Sequence, residues 1–374
     1  MKRIFVIAGE LSGDTHGAGL MREIAAQAPG TQFLGLGGSQ MKAVEGAAVE
    51  DWVADAAVVG LTEVLARYGY FKQRFDACLE AIAHEKPDAL LLVDYPGFNL
   101  RLAKAVREAG IPIKIVYYIS PQVWAWKSGR IKTMAKVLDL MICIFPFEKP
   151  LYEKSGLRTE FAGHPMVDRV ETLRRGWKRE PGLVGWFPGS RVNEVQRLFP
   201  VMMQAARLIE KQVPGVRFAV SAANESLAGE MRAMADAAGY PEAKRWVEVG
   251  TVYDLMQRAE VGAVASGTAT LEAACFGLPY ALVSTVSWPT YLVGRLLVRV
   301  KHLGIVNILA GREVIPELVQ HKFSPAKVAA KMVELLTQPP AREQLQRDMA
   351  EVVAALGAGG AYQRAATATL EALA

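Results

Sequence analysis

Ser266, Gly267 and Thr268 form a short polar turn between an apolar run at 261–265 and a segment that carries Glu272. This order predicts a strand, a tight turn and the start of a helix. The N–H groups at a helix start, together with the positive end of the helix dipole, can bind a phosphate. Glu272, further along the helix, can then accept hydrogen bonds from a ribose diol. The alternative is an ordinary helix capped by Ser266 or Thr268, and the turn by itself leaves both interpretations open.

A second polar turn, with Ser190 and Arg191, follows an apolar run at 183–187. A guanidinium group pairs well with phosphate oxygens, so Arg191 can neutralise a phosphate that the 266–268 turn also holds. Two turns that converge on one phosphate are a more specific signal than either turn alone. A polar loop that begins at Asn307 is a further candidate ligand contact.

The first apolar run, at 4–8, leads into a turn that is rich in polar side chains. Its glycines do not follow the G-x-G-x-x-G fingerprint, which argues against a nicotinamide cofactor. Polar groups at the carboxyl end of a parallel strand nevertheless lie where open α/β sheets bind ligands. The candidate catalytic or substrate-binding residues here are Glu10, Ser12, Gly13, Asp14 and His16. Capping of the helix by Ser12 or Asp14 is the alternative, and the sequence does not separate the two.

Asp94 follows a near-continuous apolar run at 87–93, which is typical of a strand buried on both faces. A carboxylate in that place can act as a general base on an attacking hydroxyl if its pKa is raised or its position is fixed. It can also simply brace the Pro-Gly turn that follows it. Trp124 and Trp126 can stack on a sugar or pack in the core.

The segment 58–75 mixes apolar side chains with Arg and Lys, as interfacial helices do. Its candidate membrane- or acyl-binding residues are Leu61, Val64, Leu65, Tyr68 and Phe71. The alternative is an amphipathic helix that packs on its own core, which composition alone favours. The apolar run 278–300 is too interrupted by Trp288-Pro289, Arg295 and Arg299 to predict a membrane span.

The chain has 374 residues, of which 51% are hydrophobic and 22% charged, so it predicts a globular protein of two domains. The net charge of +5 suggests anionic partners, but no Lys/Arg block indicates nucleic acid. No His, Cys, Asp or Glu cluster has metal-ligand spacing, so we expect no metal or other cofactor. The scattered cysteines and the lack of a cleavable signal before the first strand indicate a reduced, cytosolic compartment.

Strands and helices alternate along the chain, which predicts an α/β fold with parallel, doubly wound sheets. The alternation pauses in a polar, Arg-rich stretch after residue 166 and begins again at 183. We therefore expect two doubly wound domains, at 1–170 and 183–350, with Ala-rich helices at the end of the chain.

Seven short motifs, in order along nearly the whole chain, together resemble the lipid-A-disaccharide synthases. They are Ala-Gly-Glu-Leu-Ser-Gly-Asp at 8–14, Val-Asp-Tyr-Pro-Gly-Phe-Asn at 93–99, Pro-Gln-Val-Trp-Ala-Trp at 121–126, Gly-His-Pro at 163–165, Pro-Gly-Ser-Arg at 188–191, Ser-Gly-Thr-Ala at 266–269 and Asn-Ile-Leu-Ala-Gly-Arg at 307–312. Each motif alone is a weak signal, but the ordered set is specific.

The resemblance implies a GT-B glycosyltransferase whose two domains face each other across a cleft, with residues 351–374 crossing back to the first domain. It implies transfer of the sugar of UDP-2,3-diacylglucosamine to the 6-hydroxyl of 2,3-diacylglucosamine 1-phosphate, giving a β-1,6 disaccharide and UDP. Asp94 would be the base, with Glu10 as a second catalytic carboxylate, and the polar turns would bind substrate. It also implies a cytoplasmic enzyme, peripheral on inner membrane lipids, and leaves a homodimer open.

Two other functions remain open from the sequence. Another GT-B enzyme acting on UDP-sugars, either a glycosyltransferase or a sugar-nucleotide epimerase, would share the turns at 188–191 and 266–272 but would not explain segment 58–75. A non-catalytic, peripheral nucleotide-binding protein would need no base at Asp94.

Overall fold

The computed structural model describes residues 2–56, 68–123, 129–286 and 301–374. Within them the chain forms two compact units, one of Met1–Pro165 with Leu356–Ala374 and one of Met166–Ala355. The residues Leu61, Val64 and Leu65, the Tyr68 side chain, both candidate tryptophans at 124 and 126, and most of the run 278–300 lie outside this description.

The first unit is built on a seven-stranded parallel sheet with the order β3-β2-β1-β4-β5-β6-β7. The strands in the middle of this sheet are apolar and almost entirely buried, because helices cover both faces of such a sheet. Their bounds are β1 Arg3–Ala8, β2 Gln32–Gly37, β3 Ala47–Asp51, β4 Ala89–Val93, β5 Lys114–Tyr118, β6 Leu140–Cys143 and β7 Thr159–Phe161.

The helices of this unit are Leu11–Gln27, Ser39–Lys42, Val53–Ala56, Tyr68–Glu85, Pro96–Glu108, Arg130–Val137, Glu148–Glu153 and, at the end of the chain, Ala361–Ala372. The last helix packs against the first, where the Tyr362 ring occupies the space in which a side chain at Gly19 would lie. A further helix, Pro165–Leu173, leads into the second unit.

The second unit has a six-stranded parallel sheet with the order β10-β9-β8-β11-β12-β13. Its strands are β8 Glu180–Phe187, β9 Arg217–Ala222, β10 Val247–Val249, β11 Ala259–Ala265, β12 Tyr280–Ser284 and β13 Glu317–Val319. Its helices are Val192–Glu210, Glu225–Ala237, Val252–Arg258, Thr268–Cys275, Ile305–Ala310, Pro325–Thr337 and Pro339–Ala355, with 3-10 turns at Pro241–Trp246 and Gln320–Lys322. The predicted class, α/β with two parallel sheets, is confirmed.

In both sheets the strand order reverses beside the first strand of the unit, between β1 and β4 and between β8 and β11. The strands end level with each other there, because Ala8 pairs with Val93 and Phe187 pairs with Val264. The turns that follow these strands therefore leave each sheet side by side, at the position where open α/β sheets bind ligands.

Phe71 packs on the core of the first unit, with its ring edge-on to the fully buried Trp52 at a centroid distance of 6.3 Å. The basic side chains that follow it have partners in the same unit, since Lys72 pairs with Asp76 and Arg74 pairs with Glu50. The membrane-binding prediction for Phe71 is therefore corrected to a packing role. Among the described residues, no helix combines the length and apolarity that crossing a bilayer would require.

Candidate active site

Asp94 and Glu10 lie together in the first unit because they follow adjacent strands. Glu10 is two residues beyond Ala8 and Asp94 directly follows Val93, and these two strand-end residues are paired in the sheet. The two side chains are close enough for the charge of Glu10 to act on the carboxyl group of Asp94. The side chain of Tyr95 packs over Gly9, where an added Cβ would clash with the ring, so only glycine allows this close approach.

The surroundings of Asp94 make it a base that can work near neutral pH. Burial, reinforced by the neighbouring charge of Glu10, raises the pKa of Asp94 to about 7. A negative charge nearby disfavours ionisation, so Asp94 keeps a proton that an isolated aspartate would lose. A general base is most effective when its pKa lies near the working pH.

The backbone at Asp94 is held in an unusual conformation. Asp94 and Tyr95 both have positive φ angles, of 44° and 48°. The Asp94 N–H donates to the Tyr118 carbonyl over 2.9 Å, and the Asp94 carbonyl accepts from Asn99 Nδ2 at 2.7 Å and from the Tyr117 hydroxyl. Left-handed backbone costs energy in non-glycine residues, and these bonds maintain it. The strained turn fixes the direction in which the carboxylate points.

Glu148 is a third carboxylate near this pair, and the sequence analysis missed it. It is fully buried, and it accepts hydrogen bonds from Ser120 Oγ at 2.5 Å and from the Phe145 N–H at 3.2 Å. Its charge also contributes to the raised pKa of Asp94. No sequence signal marks it, because it lies at the start of a short helix with no motif around it.

Asp14 holds the turn after β2 in place. It is 1% exposed, and its carboxylate accepts the backbone N–H groups of Gly38, Gln40 and Met41 at 2.9 to 3.0 Å. Because main-chain N–H groups bind its oxygens, Asp14 is a positioning residue. Helix capping is therefore the better interpretation, although the helix that Asp14 caps is Ser39–Lys42 and not the helix that contains it.

The other residues of the first turn are arranged along the start of the helix Leu11–Gln27. Ser12 is exposed and Gly13 is buried against Ala8, in the bend below Glu10. His16 lies further along, with Nδ1 2.9 Å from the hydroxyl of Tyr362. His164, from the Gly-His-Pro motif, is close to His16, and burial lowers its pKa to about 3. Ser12, Gly13 and His16 stay predicted substrate contacts.

The two turns that the sequence predicts to bind phosphate follow neighbouring strands of the second unit. Gly267, with φ 139°, is the residue before the helix Thr268–Cys275, and no side chain caps this helix. The alternative in which Ser266 or Thr268 serves as the cap is therefore wrong. Thr268 and Gly267 are exposed at the helix start and Ser266 is half-buried, so the helix start is open to a ligand.

Ser190 and Arg191 are exposed at the end of β8, beside the turn that follows β11. Arg191 Nη1 is 2.9 Å from Glu194 Oε1, with the Arg191 side chain 76% exposed. An ion pair this exposed is weak and can be exchanged for a phosphate. Gly189 has a φ of 101°, a conformation that residues with a side chain rarely adopt, so this turn favours glycine.

Glu272 is 8% exposed on the first helical turns after Gly267, and it accepts a hydrogen bond from the Tyr253 hydroxyl at 3.0 Å. Burial raises its pKa, while Tyr253 and the charge of Arg169 act in the opposite direction. Arg169 in turn donates to the Tyr253 hydroxyl at 2.7 Å. The sequence analysis identified Glu272 but neither of these two partners.

Asn307 does not face a ligand. It is fully buried, its amide nitrogen donates to the Ile315 carbonyl and to Glu317, and its oxygen accepts the N–H groups of Val314 and Ile315. All four bonds are 2.7 or 2.8 Å long. The prediction that Asn307 contacts substrate is therefore corrected, since the side chain fixes the chain ahead of β13.

The described residues contain no group of three or more His, Cys, Asp and Glu side chains placed to hold a metal ion. In the first unit, the groups that could act in a reaction are the carboxylates. In the second unit, they are the N–H groups at the start of the helix Thr268–Cys275, the Arg191 guanidinium and the Glu272 carboxylate.

Known proteins resemble this chain over its full length. Residues 4–372 match the family described as lipid-A-disaccharide synthetase. The lipid-A-disaccharide synthase of Geobacter metallireducens is 41% identical over 380 residues, covering 100% of this chain and 97% of its own. That of Myxococcus xanthus is 36% identical and covers 99% and 97%.

Among solved structures, a glycosyltransferase of kitacinnamycin is 15% identical, with a TM-score of 0.59 over 100% of this chain and 99% of its own. A UDP-GlcNAc 2-epimerase from Neisseria meningitidis, solved with UDP-GlcNAc bound, is 11% identical, with a TM-score of 0.59 over 99% of both chains. These likenesses show the fold alone, which is of the GT-B class. The match of the whole sequence decides the family: this chain belongs to the lipid-A-disaccharide synthases, which are glycosyltransferases.

Proposed function

We propose that this chain transfers the sugar of UDP-2,3-diacylglucosamine to the 6-hydroxyl of 2,3-diacylglucosamine 1-phosphate, with inversion at the anomeric carbon, and that Asp94 is the general base. The observation that carries this proposal is the position of Asp94 beside Glu10 at the reversal of the strand order. Burial and Glu10 raise the pKa of Asp94 to about 7, where a carboxylate can take a proton from a sugar hydroxyl.

The reaction needs a single displacement. Asp94 accepts the proton of the acceptor 6-hydroxyl while the oxygen of that hydroxyl bonds to the anomeric carbon of the donor. The bond from that carbon to the UDP oxygen breaks at the same time. The donor is α-linked and the product β-linked, so one base suffices and no covalent enzyme intermediate is required. Glu10 supports Asp94 by the negative charge that helps to keep the pKa of Asp94 high.

The second unit supplies groups that suit the leaving UDP. Its diphosphate gains negative charge as the bond breaks, and the N–H groups at the start of Thr268–Cys275 together with Arg191 can stabilise that charge. Ser190, Ser266 and Thr268 add hydroxyl groups next to this place. Glu272, held at its buried position, can accept the ribose hydroxyls. These residues stay proposed contacts.

Acylated substrates give segment 58–71 a reason to bind lipid. We place Leu61, Val64, Leu65 and Tyr68 at the acyl chains or the cytoplasmic face of the inner membrane, as the composition of the segment suggests. Phe71 is left out of this proposal because its ring packs on Trp52.

The test is release of UDP from UDP-2,3-diacylglucosamine by the purified protein, measured with and without 2,3-diacylglucosamine 1-phosphate. We expect release that depends on the acceptor, together with a disaccharide product whose new linkage is β. Isomerisation of a UDP-sugar without any acceptor would favour an epimerase instead. Binding of UDP without turnover of either kind would favour a nucleotide-binding protein.

A further inference from the structure

Glu272 has one of its oxygens fixed by a tyrosine and not by the main chain. The Tyr253 hydroxyl lies 3.0 Å from Glu272 Oε1. Within the described ranges, Tyr253 is the one side chain that donates to the Glu272 carboxylate. Glu272 as a whole residue is 8% exposed, and the second oxygen of its carboxylate, Oε2, is the one that the Tyr253 hydroxyl leaves for a ligand.

The direction of this hydrogen bond is set by Arg169. The Arg169 guanidinium donates to the Tyr253 oxygen over 2.7 Å and lies over the tyrosine ring, 5.4 Å from its centroid. A guanidinium has donors but no acceptor, and a tyrosine hydroxyl has one proton. With its oxygen accepting from Arg169, Tyr253 directs its proton to Glu272. Burial raises the pKa of Tyr253 to about 12, so the hydroxyl keeps that proton at neutral pH.

Both partners stand on helices that are locked to each other. Tyr253 belongs to the helix Val252–Arg258, and Arg169 belongs to the helix Pro165–Leu173. Gln257, which is 7% exposed, donates to the Leu173 carbonyl and accepts the Arg175 N–H. The tyrosine is therefore held on both sides, and its hydroxyl is well placed to hold Glu272 in turn.

We infer that Tyr253, directed by Arg169, is a positioning residue that orients the Glu272 carboxylate toward the ribose diol of the nucleotide and so sets the preference for a ribonucleotide over a 2′-deoxyribonucleotide. The inference rests on the proposed role of Glu272. A carboxylate with one oxygen occupied by Tyr253 presents the other in a fixed direction, and the 2′-hydroxyl is a hydrogen-bond donor that only the ribonucleotide carries.

The experiment is calorimetric binding of UDP and of 2′-deoxyuridine diphosphate to the full chain and to its variants. The variants are Tyr253→Phe, Arg169→Met and Glu272→Ala. The matched control is Tyr280→Phe, which removes a tyrosine hydroxyl bonded to the same helix that carries Glu272, since Tyr280 donates to the Thr270 carbonyl over 2.7 Å. Thermal melting of each variant checks its fold.

We expect Tyr253→Phe to weaken UDP binding roughly 3- to 10-fold, the loss of one ordinary hydrogen bond, and to change binding of the deoxy compound much less. The ratio of the two affinities should therefore fall, with Arg169→Met showing a smaller fall in the same direction. Tyr280→Phe should keep the wild-type ratio even where it lowers the melting temperature.

Equal weakening of both nucleotides by Tyr253→Phe, or no change in either, would overturn the inference. If Glu272→Ala abolishes the discrimination and Tyr253→Phe leaves it intact, the role of Glu272 stands and that of Tyr253 fails. If Glu272→Ala itself leaves UDP binding unchanged, the proposed ribose contact fails, and this inference fails with it.

Discussion

Asp94 and Glu10 lie beside each other at the carboxyl edge of the first sheet, although 84 positions separate them in the sequence. The pairing of β1 with β4 places Ala8 beside Val93, and each carboxylate follows within two residues of that pair. At this edge the charge of Glu10 adds to the effect of burial and raises the pKa of Asp94 to about 7, far above that of an isolated aspartate.

Asp94→Asn removes the proposed base while keeping the size of the side chain. We expect turnover to fall by roughly 10²- to 10⁴-fold, as is typical for the loss of a general base, with little change in UDP affinity. Steady-state kinetics and calorimetry with UDP measure the two effects. Near-normal turnover in a folded variant would remove Asp94 from its role.

The pH dependence of catalysis follows from the raised pKa of Asp94. A base must be deprotonated to act, so kcat/KM should rise with pH through about 7 and level off above it. Glu10→Gln removes a like charge, which lowers the pKa of Asp94 and should move the acid limb of the profile to lower pH. A limb that stays in place in Glu10→Gln would show that another group controls it.

Arg191→Ala and Glu272→Ala should each weaken UDP binding, because each removes a charged partner of the nucleotide. For the buried Glu272 we expect a loss of about 1.5 to 3 kcal/mol, the range for a hydrogen bond to a charged group. Arg197→Ala, which alters an exposed arginine on the helix that follows Arg191, is the control. Unchanged UDP affinity in both test variants would place the donor site elsewhere.

Asn307→Ala tests the corrected role of Asn307. The substitution leaves two buried N–H groups and the Ile315 carbonyl without their partner, so unfolding free energy should fall by about 2 to 4 kcal/mol. The control is Gln204→Ala, which truncates an exposed amide side chain on the helix Val192–Glu210 and should change it little. Thermal or urea unfolding measures both. A normal melting temperature combined with weaker UDP binding would restore Asn307 as a ligand contact.

Leu61→Ser with Leu65→Ser tests binding to lipid. Burial of two leucine side chains in lipid contributes about 3 to 6 kcal/mol, so the double variant should lose binding to anionic vesicles and show a higher KM for the acylated acceptor. Its melting temperature and UDP affinity should stay near wild type. Phe71→Ala should instead lower the melting temperature and leave vesicle binding near wild type, because that ring packs on Trp52. A double variant that melts early but still binds vesicles would make this segment part of the core.

The sequence by itself predicts the alternation of strands and helices and the turns that carry the candidate site. The apolar runs before Glu10, Asp94, Arg191 and Ser266 each became a buried strand, because a sheet covered on both faces requires such runs. The strands that sequence analysis missed are β3, β7, β12 and β13. Three of them are short or polar, and β12 lies in an apolar run that also resembles a helix, so periodicity alone could not identify them.

What the residues do once the chain is folded was decided by tertiary structure. Asp14 and Asn307 have the same polar character as true ligand contacts, but main-chain N–H groups that are distant in sequence or across a loop occupy their side chains. Glu148 and Tyr253 lie in no motif, and their roles follow only from the residues that they contact, Ser120 in one case and Glu272 in the other. Strands and turns follow from local composition, which the sequence displays directly. Hydrogen-bond partners and pKa shifts depend on burial and on the order of strands in a sheet, and these exist only after the chain has folded.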